Sequence, residues 1–362
     1  MILPVWRCAF RSGSRTLRAD QNRQGGFLKI LIFSHDGKLG DAVVNTAFLR
    51  GARLLDPEVE IHVLASGNSG NLWQADSRIA RVWNFENPPL LECLRTSWAI
   101  RRERFDYLVT FKERFRSEKT RILLKLAAPR RGVLMEEGKL PGQVTHAVRK
   151  SQISLQAIYG EPAHTLIPRY ELHRTPAAAP LAALTGLLPN QELIVVNLFG
   201  SEPNNARTVS TAAAVGILQR LAVALPSAAV ALSCTNNTQA LAQQAIDGAR
   251  AQTDTGIHWR ALVVNTENDL PGLVALCDRA SVVISPDTSL IHIASALDKP
   301  VLGIYQNDGV KSIEWAPLCS RFAVVIAPDA KTIHGFSADE VLQKVLALRG
   351  MGPVMAPDKT PV

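Results

Sequence analysis

Long apolar runs, cysteine and aromatic residues are what this chain has least of, and each shortage removes a class of protein. No stretch of its 362 residues approaches the roughly 20 apolar residues that span a bilayer. The five cysteines, Cys8, Cys93, Cys234, Cys277 and Cys319, are scattered, odd in number and free of CxxC or Cys/His spacing. Neither a disulfide framework nor a structural zinc is indicated, and a reducing cytoplasm is the expected home. With aromatics at 6% of a chain that is 47% hydrophobic, the apolar content is mostly Ala, Leu and Val, as in an α/β protein. The length favours two domains over one. GxGxxG is absent, which disfavours a nicotinamide dehydrogenase. There is no Asp-x-Asp pair and no His/Asp/Glu cluster with metal-ligand spacing, so metal-independent chemistry without a cofactor is expected.

What is present is a repeated alternation of buried strands and helices. Strands are predicted at Leu28 to Phe33, Val59 to Ala65, Arg81 to Phe85 and Tyr107 to Phe111, with helices at Asp41 to Leu55, Leu90 to Arg104, Ser117 to Ala127 and His146 to Tyr159. A proline-rich connection follows, and then a second array. Its strands are predicted at Leu193 to Leu198, Ala228 to Ser233, Ala261 to Val264, Ala280 to Ser285, Val301 to Tyr305 and Phe322 to Ile326, with helices notably at Thr211 to Leu225 and Thr238 to Ala251. Two such arrays imply two doubly wound, Rossmann-like domains facing each other across a cleft. The expected division is a basic leader over 1–26, domains over 27–165 and 191–349, a linker over 166–190 and a tail over 350–362.

Charge is unevenly spread. Between Arg95 and Arg131 lie twelve basic and four acidic residues, so this segment alone matches the net charge of +8 of the whole chain. A solvated set of helix faces accounts for that, as does a face for a polyanion or an anionic membrane. Tyr107 and Phe111 bracket a strand and read as core rather than as a platform for stacking bases, so no nucleic-acid partner is expected.

Two turns carry chemistry. The stretch Ser281 to Tyr305, SVVISPDTSLIHIASALDKPVLGIY, reads as strand, polar turn, helix and strand. A helix starting at the carboxyl end of a parallel strand presents unpaired amides and a positive dipole end, which suits a phosphate. In the first array, Gly37-Lys38-Leu39-Gly40-Asp41 joins the first strand to its helix, and the two glycines allow a tight turn and close approach of a ligand. Asp41 reads either as the helix N-cap or as a general base directed into the cleft.

The same residues resemble a known family. LKILIFSHDGKLGDAVVNTAFLRGARLLDPEVEIHVLA resembles the opening of the ADP-heptose:lipopolysaccharide heptosyltransferases, glycosyltransferase family 9, and ISPDTSLIHIASALDKPVLGIY resembles their late donor-binding motif. HAVRKSQISLQAIYG is similar to the interdomain helix of that family, and VVNLFGSEPNNARTVS to its Asn-Pro-Gly turn with a following basic residue. The resemblance implies a GT-B fold, an acceptor on the N-terminal half and a nucleotide-sugar donor on the C-terminal half. It implies inverting transfer with Asp41 as the base, and donor binding by Ser201, Arg207, Asp287, Thr288, Ser289 and His292. For His292 and Asp287, simple packing or helix capping is the competing reading. The implied acceptor is an anionic lipopolysaccharide precursor on the inner leaflet, which gives Arg114, Arg116 and Lys119 a docking role at the membrane.

Three departures leave the donor open. Ser289 stands where many members have Gly, Asn197-Leu198-Phe199-Gly200 replaces Asn-Pro-Gly, and Ala206-Arg207-Thr208 replaces Lys-Arg-Trp. Another GT-B transferase, a hexosamine epimerase and a non-catalytic nucleotide-sugar or polyanion binder are the alternatives.

Overall fold

The structure, a computed structural model, describes residues 27–34, 38–86, 88–111, 126–127, 131–134, 144–172, 184, 187, 190–253 and 259–350. Gly37, Arg114, Arg116, Lys119, the leader and the tail past residue 350 lie outside these residues, as does nearly all of the helix predicted at Ser117 to Ala127.

The N-terminal half runs β1 Lys29–Ser34, α1 Leu39–Leu55, β2 Glu60–Ala65, α2 Asn68–Gln74, β3 Arg81–Asn84, α3 Leu90–Glu103, β4 Tyr107–Thr110, β5 Arg131–Leu134 and α4 Arg149–Tyr159. The C-terminal half runs β6 Leu193–Val196, α5 Thr211–Ala224, β7 Ala229–Cys234, α6 Gln239–Gln252, β8 Arg260–Asn265, α7 Leu270–Arg279, β9 Val282–Pro286, α8 Ser289–Ala296, β10 Val301–Tyr305, the single turn α9 Lys311–Glu314, β11 Phe322–Ile326 and α10 Ala338–Arg349. Strand positions agree with the sequence reading to within two residues. The sequence pattern did not foretell α2 or β5, since each is short and neither has a clear apolar period.

All strand pairs are parallel, in the orders β3-β2-β1-β4-β5 and β11-β10-β9-β6-β7-β8. Each order reverses direction next to its first strand, between β1 and β4 and between β6 and β9. Ligands of open α/β sheets bind beyond the carboxyl ends of the strands at such points. The turn at Gly40-Asp41 leaves β1, and the turn at 287–289 leaves β9.

The continuous apolar runs follow from burial on both sheet faces. In β1, Ile30 and Ile32 face one core together with α1, while Leu31 and Phe33 face a second core with Cys93 and Ile100 of α3. In the other sheet, Ile194, Val196 and Ile284 point to a core with α5, α6 and α10. Val195 and Val283 point the other way, into the core that also holds α1. One apolar core therefore continues from sheet to sheet through α1 and α8, and the two α/β layers meet helix against helix. Phe111 is buried and meets Phe48 edge-on with ring centroids 5.9 Å apart, a core position as the sequence suggested. The four described cysteines are free thiols. No described helix is long and apolar enough to cross a membrane.

Candidate active site

The helix α1 begins two residues earlier than its sequence suggests. Lys38 is its N-cap residue, without a side-chain capping bond, and Asp41 lies inside the first turn. The N-cap reading of Asp41 is thereby corrected: it is the third helical residue, partly buried, where an acid complements the helix dipole.

Gly40 explains how the two halves come together here. A Cβ at this position would lie 3.2 Å from Cδ2 of His292 and 3.5 Å from Cα of Ser289. The missing side chain thus admits a second helix, where the sequence had suggested a ligand. The amino ends of α1 and α8 converge, and the first amides of a helix have no partner within the helix itself.

On the C-terminal side, Thr288 is the N-cap of α8, its hydroxyl accepting from the Leu290 amide at 3.4 Å. That hydroxyl also lies 2.8 Å from Ser285 Oγ, which donates to the Pro286 carbonyl, so Thr288 is the donor of the pair. Its hydroxyl is thus engaged in the turn. Ser289, the first helical residue, is half-buried, and its side chain has no hydrogen-bond partner among the described residues.

The capping role weighed for Asp287 belongs to Thr288 instead. Asp287 is buried, its carbonyl accepts from Arg207 Nη1 at 2.7 Å, and its Oδ2 lies 3.2 Å from Arg207 Nη2. Burial pushes its carboxyl above the ordinary value, although the charges of Arg207 and Lys311 pull it down. Arg207 is in turn aimed by its own loop, where Asn205 Oδ1 accepts from the Arg207 amide at 3.0 Å and Thr208 Oγ1 accepts from the Gly200 amide at 2.9 Å. The arginine keeps a side-chain exposure of 38%, so part of the guanidinium faces outward. Ser201 is exposed in the same loop, its carbonyl accepting from Thr235 Oγ1 at 3.3 Å.

Two neighbours were missed from sequence. Lys311, just past the β10 end, donates to Gln306 Oε1 at 3.1 Å and is one of the charges acting on Asp287. The polar run Gln306 to Gly309 at a strand end was the available signal. The aromatic setting of His292 was the other. Its ring is 2% exposed and meets Tyr170 and Trp315 edge-on at 5.8 Å each. Burial, then the nearby His146 and Arg207, lower its pKa to about 3, and Nδ1 is buried without a partner. The ring thus fills the junction of the halves as a neutral side chain. His146 borders the same junction, its Nδ1 accepting from the Val148 amide and its Nε2 donating to the Ala316 carbonyl.

Asn236 and Asn237 lie beyond the β7 end. The Asn236 amide donates to Glu267 at 2.6 Å and Asn237 Nδ2 to Glu202 at 3.0 Å. Asp308 accepts from the Val310 and Lys311 amides.

Among the described residues, one group has metal-ligand chemistry: Glu60, His62 and Glu103. It already holds a cation, since the Lys29 ammonium lies 2.9 Å from Glu60 and 3.2 Å from Glu103. His62 Nδ1 accepts from Trp83 Nε1 at 3.2 Å, which makes Nε2 the protonated nitrogen, donating to Glu60 at 2.8 Å. Neither ring nitrogen has a lone pair to spare, so the cluster is a satisfied structural network. Two cavities, of about 330 and 450 Å³, lie away from Asp41 and the 287–289 turn.

Comparison with known proteins bears on the family and the fold. Residues 220–346 match the model of Glycosyltransferase family 9 (heptosyltransferase). No curated protein matches the chain. Among solved structures, the glycosyl transferase family 9 from Veillonella parvula superposes with a TM-score of 0.71 at 13% identity, over 89% of this chain and 97% of the other. The E. coli ADP-heptose lps heptosyltransferase II gives 0.67 at 16% identity, over 89% and 98%. E. coli heptosyltransferase WaaC with ADP gives 0.63 at 16%, over 89% and 100%. The fold is GT-B, and the resemblance to glycosyltransferase family 9 that the motifs carry is borne out by the family model over residues 220–346 and by the shared fold over most of the chain.

Proposed function

We propose that this protein is an inverting glycosyltransferase that moves a heptose or related sugar from ADP-heptose to a lipopolysaccharide core acceptor. The observation that carries the reading is the convergence at Gly40 of the α1 and α8 amino ends, with Arg207 anchored on Asp287 beside them. In this reading Asp41 takes the proton of an acceptor hydroxyl as its oxygen bonds to the anomeric carbon. The bond from that carbon to the diphosphate breaks, and the nucleoside diphosphate leaves with the electron pair. Negative charge grows on the leaving oxygens, where oriented amides and cations stabilise it most. The amide of Ser289, the guanidinium of Arg207 and the ammonium of Lys311 are suited to that task, and Ser201, Asp287 and Thr288 shape the turns that present them. With those cations and no Asp-x-Asp pair in the chain, transfer without a metal is the expected mode.

The N-terminal half would receive the acceptor and the C-terminal half the donor. Relatives of the same fold include a heptosyltransferase solved with ADP-2-deoxy-2-fluoro heptose, which supports a nucleotide-sugar donor here. The acceptor would be an anionic amphiphile met from the cytoplasmic side, with the protein in peripheral contact with the inner membrane.

Two measurements test this. Calorimetry against ADP-, GDP-, UDP- and CMP-sugars should give selective binding of ADP-heptose, and selective binding of another donor overturns the donor assignment. Asp41→Asn should lower turnover by about 10²-fold or more while leaving donor affinity within a factor of about two. Equal transfer by wild type and variant removes Asp41 as the base.

A further inference from the structure

The helix α3 is apolar on two faces. Cys93 and Ile100 pack against the N-terminal sheet, while Leu90, Leu91, Leu94 and Trp98 are 56%, 60%, 41% and 60% exposed. At 100° per residue these four occupy an arc of ~100° turned away from the sheet. Arg95 and Arg102 border that arc, exposed Arg101 falls within it, and Glu92 and Glu103 lie farther round the helix.

Single exposed leucines are ordinary, but a contiguous stripe with an arginine border is a marked surface. One arginine is held on the stripe and another on the neighbouring strand. The Arg102 guanidinium lies 4.2 Å from the Trp98 ring centroid, and Arg81 of β3 lies 3.7 Å over Trp83. Between β3 and α3 is a cavity of about 330 Å³ lined by Arg81, Asn84, Arg95 and Thr96. An apolar stripe beside a cationic groove matches an anionic lipid surface, with acyl chain boundary below and phosphate above. A second copy of this chain fits less well, because pairing the stripes would bring arginine borders together.

We propose that α3 is a docking surface for an anionic phospholipid bilayer. Leu90, Leu91, Leu94 and Trp98 enter the headgroup boundary, and Arg81 and Arg95 hold lipid phosphate in the groove. The helix starts at the carboxyl end of β3, so its apolar first turns lie at the sheet edge where β1 delivers Asp41. It covers the sheet face opposite α1, which leaves the C-terminal half clear of the bilayer. The orientation toward a lipid-borne acceptor rests on the proposed function, whereas the lipid binding itself does not.

The experiment is co-sedimentation of the full chain with phosphatidylcholine vesicles, with and without phosphatidylglycerol. Leu91→Ser/Trp98→Ser should lower partitioning onto the anionic vesicles by about tenfold or more, since two large side chains lose their apolar burial. Arg81→Gln/Arg95→Gln should remove the preference for phosphatidylglycerol, and brominated lipids should quench wild-type tryptophan fluorescence more than that of Trp98→Phe. Partitioning unchanged by both double variants overturns the proposal, as does a dimer in sedimentation that Trp98→Ser dissociates. Wild type that binds these vesicles through α3 but transfers no sugar leaves the docking surface standing and removes the proposed activity.

Discussion

Gly40 and His292 face each other across the junction of the two halves so closely that a methyl group would crowd the ring: a Cβ on Gly40 would lie 3.2 Å from it. The ring cannot retreat easily, because Tyr170 and Trp315 pack against it edge-on. The contact limits how closely α1 can approach α8 at their amino ends.

Gly40→Ala should therefore destabilise the fold by about 1–3 kcal/mol through overpacking, an effect larger than the helix propensity gained. Denaturant unfolding measures it, and Gly40→Val should cost more. A variant as stable as wild type would mean that the helices part without strain, and nucleotide titration would then show whether the site tolerates it.

Arg207→Ala should weaken nucleotide-sugar binding by about tenfold or more, because a charge-assisted contact to phosphate is lost. It also leaves the Asp287 carboxylate buried with one cation fewer, although partial exposure of Arg207 limits the stability loss to about 1–2 kcal/mol. Arg207→Lys should rescue stability better than affinity, since an ammonium cannot hold the Asp287 carbonyl and carboxylate together. Equal affinity for both variants and wild type removes Arg207 from the donor site.

The burial of His292 makes the fold acid-sensitive. Its folded pKa of about 3 lies below its unfolded value, so between those values the unfolded chain binds the extra proton. Stability should be intact above about pH 6.5 and fall as pH drops toward 3, by up to about 1.4 kcal/mol per unit from this residue. His146, lowered in the same direction chiefly by burial, adds to the slope. Asp287 acts oppositely: its raised carboxyl favours the folded state as pH falls through the acid range. His292→Phe should flatten the acid limb of a pH–stability curve, and an unchanged limb would place the titration elsewhere.

Chelation should leave both folding and transfer unaffected. The Glu60–His62–Glu103 group is occupied by Lys29, whose pKa is held up by hydrogen bonds to both glutamates against the effect of its burial. Thermal unfolding with EDTA and with added zinc measures the first point and sugar transfer in EDTA the second. A zinc-dependent rise in Tm that Lys29→Met enlarges would instead identify the cluster as a metal site.

Much of the fold was legible because burial on both faces of a parallel sheet writes itself as an apolar run. Ile30 to Phe33, Leu193 to Val196 and Val282 to Ile284 could hardly be anything else. The polar turns at Gly40-Asp41 and Asp287-Thr288-Ser289 were legible too, since a run broken at a strand end and resumed at helical spacing marks the site edge. The short elements α2 and β5 were not, because four to seven residues carry too little periodicity.

The chain by itself determined two parallel α/β arrays, the order of their turns and the residue types at the strand ends, because these depend on neighbours a few positions apart. Only the tertiary structure decided which partner each of those residues meets. Asp41 moved from a cap into the first helical turn, Thr288 took the cap considered for Asp287, Asp287 turned to Arg207 eighty residues away, and Gly40 made room for His292. Such pairings depend on how α1 and α8 pack, a long-range contact that local sequence pattern does not encode.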